Sequence, residues 1–248
     1  MKRTLGIAFL LTCLCLSGLA LAKETPKSRK SARKAPKKKV ELTVPVDVGV
    51  GPTFNHFFGP LGDDQLLHYG LKFEVTAIIT REIIHKNQKR IPAKYRKQAL
   101  KMDEFRMSPF WWLPDSVFLS PKLNHTGVYG VTFRPLALGL TLLNTSVLRF
   151  SVSAGAVLTY AYIHSDRFQH ADSMHFLRPG VDARAEVTLS FSETFLLSFG
   201  WDSYFYLPQA VDQPGKGILD SAGLDNSLWH NGQGFVLLHF RFPYSTTL

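Results

Sequence analysis

Residues 147–162, "VLRFSVSAGAVLTYAY", alternate almost without interruption between bulky apolar side chains and small or polar ones. Leu148 and Phe150 fall on one face, whereas Arg149 and Ser151 fall on the other. This period of two indicates a β-strand with unlike faces, because successive side chains of a strand point to opposite sides. Strands of soluble proteins average about 5 to 6 residues, whereas a tilted strand needs about 9 to 11 to cross a bilayer. The length of this stretch therefore favours a strand that spans a membrane.

Seven stretches of the sequence alternate in this way, and together they predict an all-β fold. They are residues 44–51, 66–79, 127–142, 147–162, 180–191, 195–205 and 236–242. The apolar face of 127–142 changes sides near Arg134 and Pro135, where a bulge or an edge is expected because Pro cannot donate to a ladder. Bacterial membrane barrels have an even number of strands, so residues 115–121 are the candidate for an eighth.

The composition of the polar face predicts which side of these strands is inside. A soluble barrel keeps its apolar face inward, and a membrane barrel inverts this arrangement. Ser, Thr, Gly and Ala dominate the polar face here, whereas a face in bulk water usually carries many Lys and Glu. We therefore expect the bulky apolar side chains to face lipid and the small polar ones to fill a lumen. Near the strand ends, an aromatic girdle is expected from Tyr160, Tyr162, Trp201, Tyr204 and Tyr206.

The few charged residues of the polar face nearly balance in sign. In a narrow barrel they are expected to pair across the lumen, because a buried charge needs a partner. The predicted network consists of Asp47, Lys72, Glu74, Arg149, Asp182, Arg184, Glu186, Asp202, His239 and Arg241.

The predicted connections are short at one end of the strands and long at the other. Residues 143–146 and 192–194 are typical of tight turns, whereas 164–175 and 208–232 are long and polar. This asymmetry is typical of outer-membrane barrels. Through "VPVDVGVGPTF", "VLRFSVSAGAVLTYAY" and "FVLLHFRF", residues 40–248 resemble the small outer-membrane β-barrel proteins of Gram-negative bacteria. The resemblance implies a membrane-spanning antiparallel up-and-down barrel of about eight strands in the cell outer membrane.

Residues 1–22 have the pattern of a secretory signal peptide, in which a basic start and an apolar run precede a small-x-small cleavage pattern at 20–22. The alternative is an uncleaved membrane anchor. Cys13 and Cys15, the two cysteines of the chain, both fall inside this segment. The mature chain is therefore expected to lack thiols, which excludes a disulfide scaffold, a thiol enzyme and a zinc site with Cys ligands.

Residues 23–39, "KETPKSRKSARKAPKKK", contain no apolar residue larger than Ala and are expected to be disordered. The chain has a formal charge of +10, but residues 1–39 alone carry 11 Lys or Arg and one Glu, so the remainder is neutral. A tail of this kind suits a contact with anionic lipid or the anionic cell wall; a solvated spacer is the alternative. The neutral body gives no reason to expect a nucleic-acid partner.

Residues 81–126 interrupt the strand pattern and are predicted to be a partly helical insertion in the barrel. Residues 91–105 carry a helical stripe of apolar side chains, and Pro92 suits a first helical turn. Trp111 and Trp112 follow between prolines. These two residues are candidates for a membrane-interface contact or a partner-binding site, and the alternative is a loop packed on one end of the barrel.

One predicted loop concentrates imidazole and carboxylate groups, which are competent ligands for zinc or copper. The residues are His164, Asp166, His170, Asp172 and His175. Their spacing matches no strong metal motif, so a polar loop is the alternative to a metal site. A hydrolase would need Ser165 or Ser173 beside a His and an acid, which adjacency in sequence does not establish. The chain has no phosphate loop or calcium loop, and we expect no cofactor.

Three functions remain open at this point. The first is a non-enzymatic outer-membrane protein, either a structural anchor or a subunit of an envelope-spanning assembly with a periplasmic or envelope protein partner. The second is a narrow pore or transporter for small solutes, although about eight strands leave an interior just filled by side chains. The third is a barrel enzyme that modifies lipid, with His164, Asp166 and His170 as first candidates.

Overall fold

The computed structural model of the chain describes residues 41–58, 67–101, 104–108, 113–122, 125–166, 168, 172–210 and 227–247. The predicted signal peptide and basic tail lie outside the described residues. The chain divides into two compact units. Of the described residues, the larger unit contains those of 46–78 and 105–242, and the smaller contains those of 41–45, 79–104 and 243–247.

The larger unit is an antiparallel β-barrel. Its strands, some of which continue beyond the unit, are β1 (Glu41–Phe57), β2 (His68–Thr80), β3 (Glu104–Ser108), β4 (Pro114–Ser120), β5 (Thr126–Asn144), β6 (Leu148–Ser165), β7 (Ser173–Ser190), β8 (Phe195–Ala210) and β9 (Ser227–Thr247).

The sheet closes on itself, because β1 is hydrogen-bonded to both β2 and β9. Two short strands, β3 and β4, share the wall between β2 and β5. β3 pairs with residues 137–140 of β5, and β4 pairs with residues 128–133 of the same strand, so together they occupy one strand position. The barrel therefore has eight strand positions, and the predicted all-β antiparallel barrel of about eight strands is confirmed. β4 coincides with the candidate eighth strand at 115–121.

The strand connections and the predicted irregularity of β5 follow from local sequence. The register of β5 against β6 shifts between Phe133 and Leu136, and this bulge exchanges the inward and outward faces of β5 at Pro135. The β5–β6 turn is tight, with a 2.9 Å hydrogen bond from the backbone N–H of Thr145 to the carbonyl of Leu148. The bulge lies where the sequence pattern changed sides.

The strands extend further into the predicted long loops than the composition of those loops indicated. Ser173 pairs with His164, and Ala210 pairs with Ser227, so the connections shorten to residues 166–172 and 211–226. Backbone pairing explains the difference, because a ladder needs only N–H and C=O groups and tolerates polar side chains at its ends.

Apolar side chains cover the outside of the barrel, and polar side chains of the same strands point inward. Val50, Leu177 and Val181 are each about half exposed, whereas Lys72 and Asp202 have no exposed surface. The predicted inversion of a soluble barrel is therefore the arrangement in the structure.

Two members of the predicted aromatic girdle are an exception, because Tyr204 and Tyr206 are buried inside the barrel. They follow Asp202 on the inward face of β8, since the alternation of the strand continues to its end. Tyr160 and Trp201 are exposed on the outer face as predicted.

The interior has two parts that differ in polarity. Along the inward face of β6, Arg149 and Ser151 lie near the short turn, and Val157 and Ile163 lie toward the long connection. The apolar part is a cluster of buried side chains: Phe57, Phe118, Val128, Val157, Ala161, Ile163, Met174, Phe176, Tyr204, Tyr206 and Leu228. One half of the lumen is thus packed like a soluble core, and the other half is charged.

The smaller unit contains two short helices, α1 (Arg81–Lys86) and α2 (Ala93–Ala99), with a 3₁₀ turn at Gln88–Arg90 between them. Pro92 immediately precedes α2, but the helix ends before the predicted boundary at residue 105, because Glu104 begins β3. The segment predicted to be an insertion therefore contributes β3 and β4 to the barrel wall.

None of the helices among the described residues has the length and apolar character that a membrane-spanning helix needs.

The closing seam between β1 and β9 generates a prediction about folding. A Cβ at Gly51 would lie 1.9 Å from the backbone oxygen of Val236, whereas a Cβ at Gly234 would meet its nearest atoms, in the Trp201 ring, at 3.6 Å. We expect Gly51→Ala to prevent closure, because backbone atoms cannot move aside cheaply, and Gly234→Ala to fold normally. The measurement is the fraction of refolded protein whose gel mobility changes on boiling. Equal folded fractions for the two variants would contradict the seam geometry.

Candidate functional site: an ion-pair network in the barrel interior

The centre of the charged half is Arg184, an inward-facing residue of β7 that contacts three carboxylates. Its Nε donates to Asp202 Oδ1 at 2.6 Å, its Nη1 to Glu74 Oε2 at 2.8 Å and its Nη2 to Asp115 Oδ1 at 2.9 Å. These partners belong to β8, β2 and β4, so one guanidinium connects four strands across the lumen. Such charge-assisted bonds have strict geometry and fix the strands relative to one another.

Lys72 of β2 brings a second cation to the same carboxylates. Its Nζ lies 2.6 Å from Asp115 Oδ2 and 2.7 Å from Asp202 Oδ2. The Tyr204 hydroxyl lies 2.9 Å from Asp115 Oδ2 and 3.0 Å from Gln233 Oε1. A buried ammonium needs several acceptors to replace its hydration, and this cluster supplies them.

Arg106 of β3 extends the network toward the short-turn end. Its Nη1 donates to Glu186 Oε1 at 3.0 Å and to Ser151 Oγ at 2.7 Å, and its Nη2 lies 3.5 Å from Glu74 Oε1. Glu74 therefore lies between Arg106 and Arg184, which links the two groups of ion pairs.

Two further groups complete the network. Arg134 of β5 donates through Nη2 to Asp182 Oδ2 at 2.5 Å. Asp47 of β1 accepts from Arg241 Nε at 2.7 Å and from Nη2 at 2.8 Å, and Arg149 Nη2 lies 3.5 Å from the same carboxylate. Arg241 is the one partly exposed member, with a side chain that is 28% exposed.

His239 is buried among these charges, next to the closing seam. A Cβ at Gly49 would lie 2.6 Å from the His239 ring, so the glycine makes room for the imidazole. Neither ring nitrogen of His239 has a hydrogen-bond partner among the described residues.

The ion pairs described above join equal numbers of carboxylates and bases. The six carboxylates are Asp47, Glu74, Asp115, Asp182, Glu186 and Asp202, and the six bases are Lys72, Arg106, Arg134, Arg149, Arg184 and Arg241. Arg178 is a further interior base, and its Nη1 donates to the carbonyl of Leu177. Removing one member of a buried pair leaves its partner uncompensated, so the network constrains every strand that contributes to it.

The structure brings nine of the ten predicted network residues into ion pairs and places His239 beside them. Sequence reasoning missed Arg106, Asp115 and Arg134. Arg106 was hidden in the predicted insertion, and Arg134 lies at the face change of β5. Asp115 lies at a register irregularity between Pro114 and Ser116, so it and Ser116 are both buried, which strict alternation would not predict.

The predicted metal ligands lie in and beside β6 and β7, except His170. Among the described residues no group of three or more potential ligands lies close enough to hold an ion, and His170 lies outside those residues. His175 Nδ1 lies 2.9 Å from the Tyr160 hydroxyl. Ser165 is buried, and its neighbour His164 lies on the opposite face of β6. Trp111 and Trp112 also lie outside the described residues.

Asp166 forms a salt bridge with Lys122 at the loop end of the strands. The hydrogen bond from Lys122 lowers the pKa of the Asp166 carboxyl below its usual value. Both groups are partly exposed, so the pair contributes little to stability. Asp166 is therefore a rim residue with a basic partner.

The interior network generates a prediction about stability. We expect Lys72→Met to lower the free energy of unfolding by about 3 to 5 kcal/mol, because Asp115 and Asp202 lose a buried cation. The matched control is Lys86→Met, which removes only the exposed pair with Glu82 and should leave the urea midpoint unchanged. The measurement is urea unfolding followed by heat-modifiable gel mobility. Equal midpoints for the two variants would show that the network does not stabilise the barrel.

No family model matches the chain, and no curated protein matches it. Several solved structures are similar to most of the chain, at low sequence identity. Neisserial surface protein A (NspA) aligns with a TM-score of 0.40 and 10% identity over 80% of this chain and 95% of its own. The N-terminal β-barrel domain of Pseudomonas aeruginosa OprF gives a TM-score of 0.36 and 17% identity over 81% and 97%. The outer membrane protein OprG of the same organism gives 0.40 and 8% over 82% and 96%. The closed antiparallel ring with an apolar outer face is the arrangement that the resemblance stated from the sequence implies. No role of the similar proteins is carried over to this chain.

Proposed function

We propose that this protein is an integral outer-membrane β-barrel that acts as a structural anchor or as a subunit of an envelope-spanning assembly. The observation that carries the proposal is an interior closed by side chains, with an apolar cluster in one half and six ion-paired carboxylates and bases in the other. Because side chains fill the lumen, we expect the function of this barrel to depend on the connections at its ends and on its outer surface.

The exterior supports placement in a bilayer. Large apolar or aromatic side chains are exposed along the strands, among them Phe199, Trp201 and Phe240. A soluble protein rarely exposes a continuous apolar surface of this kind. A closed ring also leaves no unpaired strand edge to contact hydrocarbon.

The interior opposes the alternative of a pore. One cavity, lined by Glu74, Arg106 and Arg184, has a volume of only about 10 Å³, room for about one water molecule. A larger cavity of about 300 Å³ lies beside Glu74 and Arg134, where the wall changes from β3 to β4. Conduction would require several buried ion pairs to separate together, which is costly in a low-dielectric interior.

The basic segment 81–101 supports a role in contacting an anionic partner. It carries eight Lys or Arg residues and one acidic residue, Glu82. Lys89, Lys94 and Lys97 are exposed. Clustered exposed lysines attract anionic lipid headgroups or cell-wall polymers by about 1 kcal/mol for each charge near the surface.

The closed interior predicts the outcome of planar-bilayer recording. Purified protein should insert without producing steady open channels, because side chains fill the lumen. Ionic current that persists at constant voltage in protein shown to be folded by gel mobility would favour a pore instead. A porin reconstituted in the same lipid serves as the positive control.

The basic segment predicts a selective interaction in the intact envelope. Crosslinking and pull-down should recover a periplasmic or cell-wall partner with the native chain. A variant with Lys89, Lys94 and Lys97 changed to Gln should recover less of it, since the attraction is electrostatic. The control variant changes Lys122 to Gln outside this segment. Recovery of the barrel alone with every variant would count against the assembly role.

A further inference from the structure

A cavity of about 300 Å³ lies in the barrel unit where the wall changes from β3 to β4. β3 ends at Ser108 and β4 begins at Pro114, so the strand position between β2 and β5 is divided at this point. Cavities that bind small molecules begin at about this volume.

The lining of the cavity is amphipathic. Val48 and Val50 of β1 and Phe73 and Val75 of β2 contribute outward-facing apolar side chains. On these two strands the same residues pair directly across the ladder, Val48 with Val75 and Val50 with Phe73. They form an apolar wall on the side of the barrel that the proposed placement turns toward hydrocarbon.

The polar end of the cavity contains a buried base with unused hydrogen-bonding capacity. Arg134 lines the cavity and is 5% exposed. Its Nη2 donates to Asp182 Oδ2 and also, at 3.0 Å, to Ser153 Oγ. Its Nε has no acceptor among the described residues. A buried N–H of a guanidinium without an acceptor is costly, so the site favours a ligand that supplies an oxygen.

The other charged groups of the lining are ion-paired, as Arg134 is with Asp182, and both carboxylate oxygens of each have a hydrogen-bond partner. Glu74 accepts from Arg184 Nη1, and Asp115 accepts from Lys72 and Arg184. A cationic headgroup would compete with these ion pairs, whereas an anionic one could accept from the unpartnered N–H of Arg134. This donor therefore favours an anionic ligand over a cationic one.

We propose that this cavity binds a single-chain amphiphile with an anionic headgroup, its acyl chain against Val48, Val50, Phe73 and Val75 and its headgroup oxygen at Arg134 Nε. A fatty-acid carboxylate and a lysophospholipid phosphate share this chemistry. This binding site goes beyond the proposed anchor role and does not depend on a protein partner.

The test measures equilibrium binding of radiolabelled oleate, lysophosphatidic acid and oleyl alcohol to the detergent-purified full-length barrel. We expect at least one of the anionic probes to bind about tenfold more tightly than the uncharged alcohol, because a carboxylate or phosphate oxygen accepts a stronger hydrogen bond from a guanidinium than a neutral hydroxyl does. Which anionic probe binds more tightly identifies the source of the ligand. Equal binding of all three probes would overturn the proposal.

Variants separate the two halves of the site. Val75→Trp should abolish binding of every probe, because the larger side chain fills the cavity. The matched control is Val187→Trp, at an outward position of β7, which should bind the probes as the unmodified chain does. Arg134→Gln combined with Asp182→Asn keeps the charge balanced and should remove the preference for the anion while retaining the alcohol. Gel mobility checks that each variant is folded. Unchanged oleate binding in folded Val75→Trp, or a preserved preference in the double variant, would refute the site.

Discussion

Closure of the sheet is the constraint on which the rest of this structure depends. Because β1 pairs with both β2 and β9, every described strand has neighbours on two sides, and the paired backbone groups of these strands need no water in a hydrocarbon environment. Closure also fixes the interior volume. The side chains that point inward must fill this volume, and the apolar ones must point outward, so one geometric fact determines the two faces of every strand.

Two kinds of side chain fill the interior at different positions along the barrel axis. Toward the long connections it is packed with Phe57, Phe118 and Phe176, as in a soluble core. Toward the short turns it depends on ion pairs around Arg184 and Glu74. Burial removes hydration from these charges, so each needs an opposite charge in contact. Contacts of this kind connect β2, β3, β4, β7 and β8 across the lumen, and their geometry penalises any shift of strand register.

The divided strand is where the wall departs from regularity. β3 and β4 together fill one position, and the irregularity of β4 turns Asp115 into the lumen beside Lys72. The same division leaves the amphipathic cavity with Arg134 at its polar end. Non-regular backbone within a membrane barrel is tolerated only where protein or a cavity surrounds it. The irregular part of the wall is therefore also the part that contains the proposed ligand site.

Periodicity in the sequence by itself determined the all-β fold class, because alternation of apolar and polar residues over this length is the pattern of β-strands. It also placed Asp47, Glu74, Arg184 and their companions on one face and located the irregularity at Pro135. Alternation along β8 also puts Tyr204 and Tyr206 on the inward face with Asp202. Only the tertiary structure decided that Arg106, Asp115 and Arg134 join the network. These three residues occupy an interrupted strand and bulges, where side-chain direction depends on the neighbouring strand as well as on position in the chain. Register is a property of paired strands, and no single strand encodes it alone.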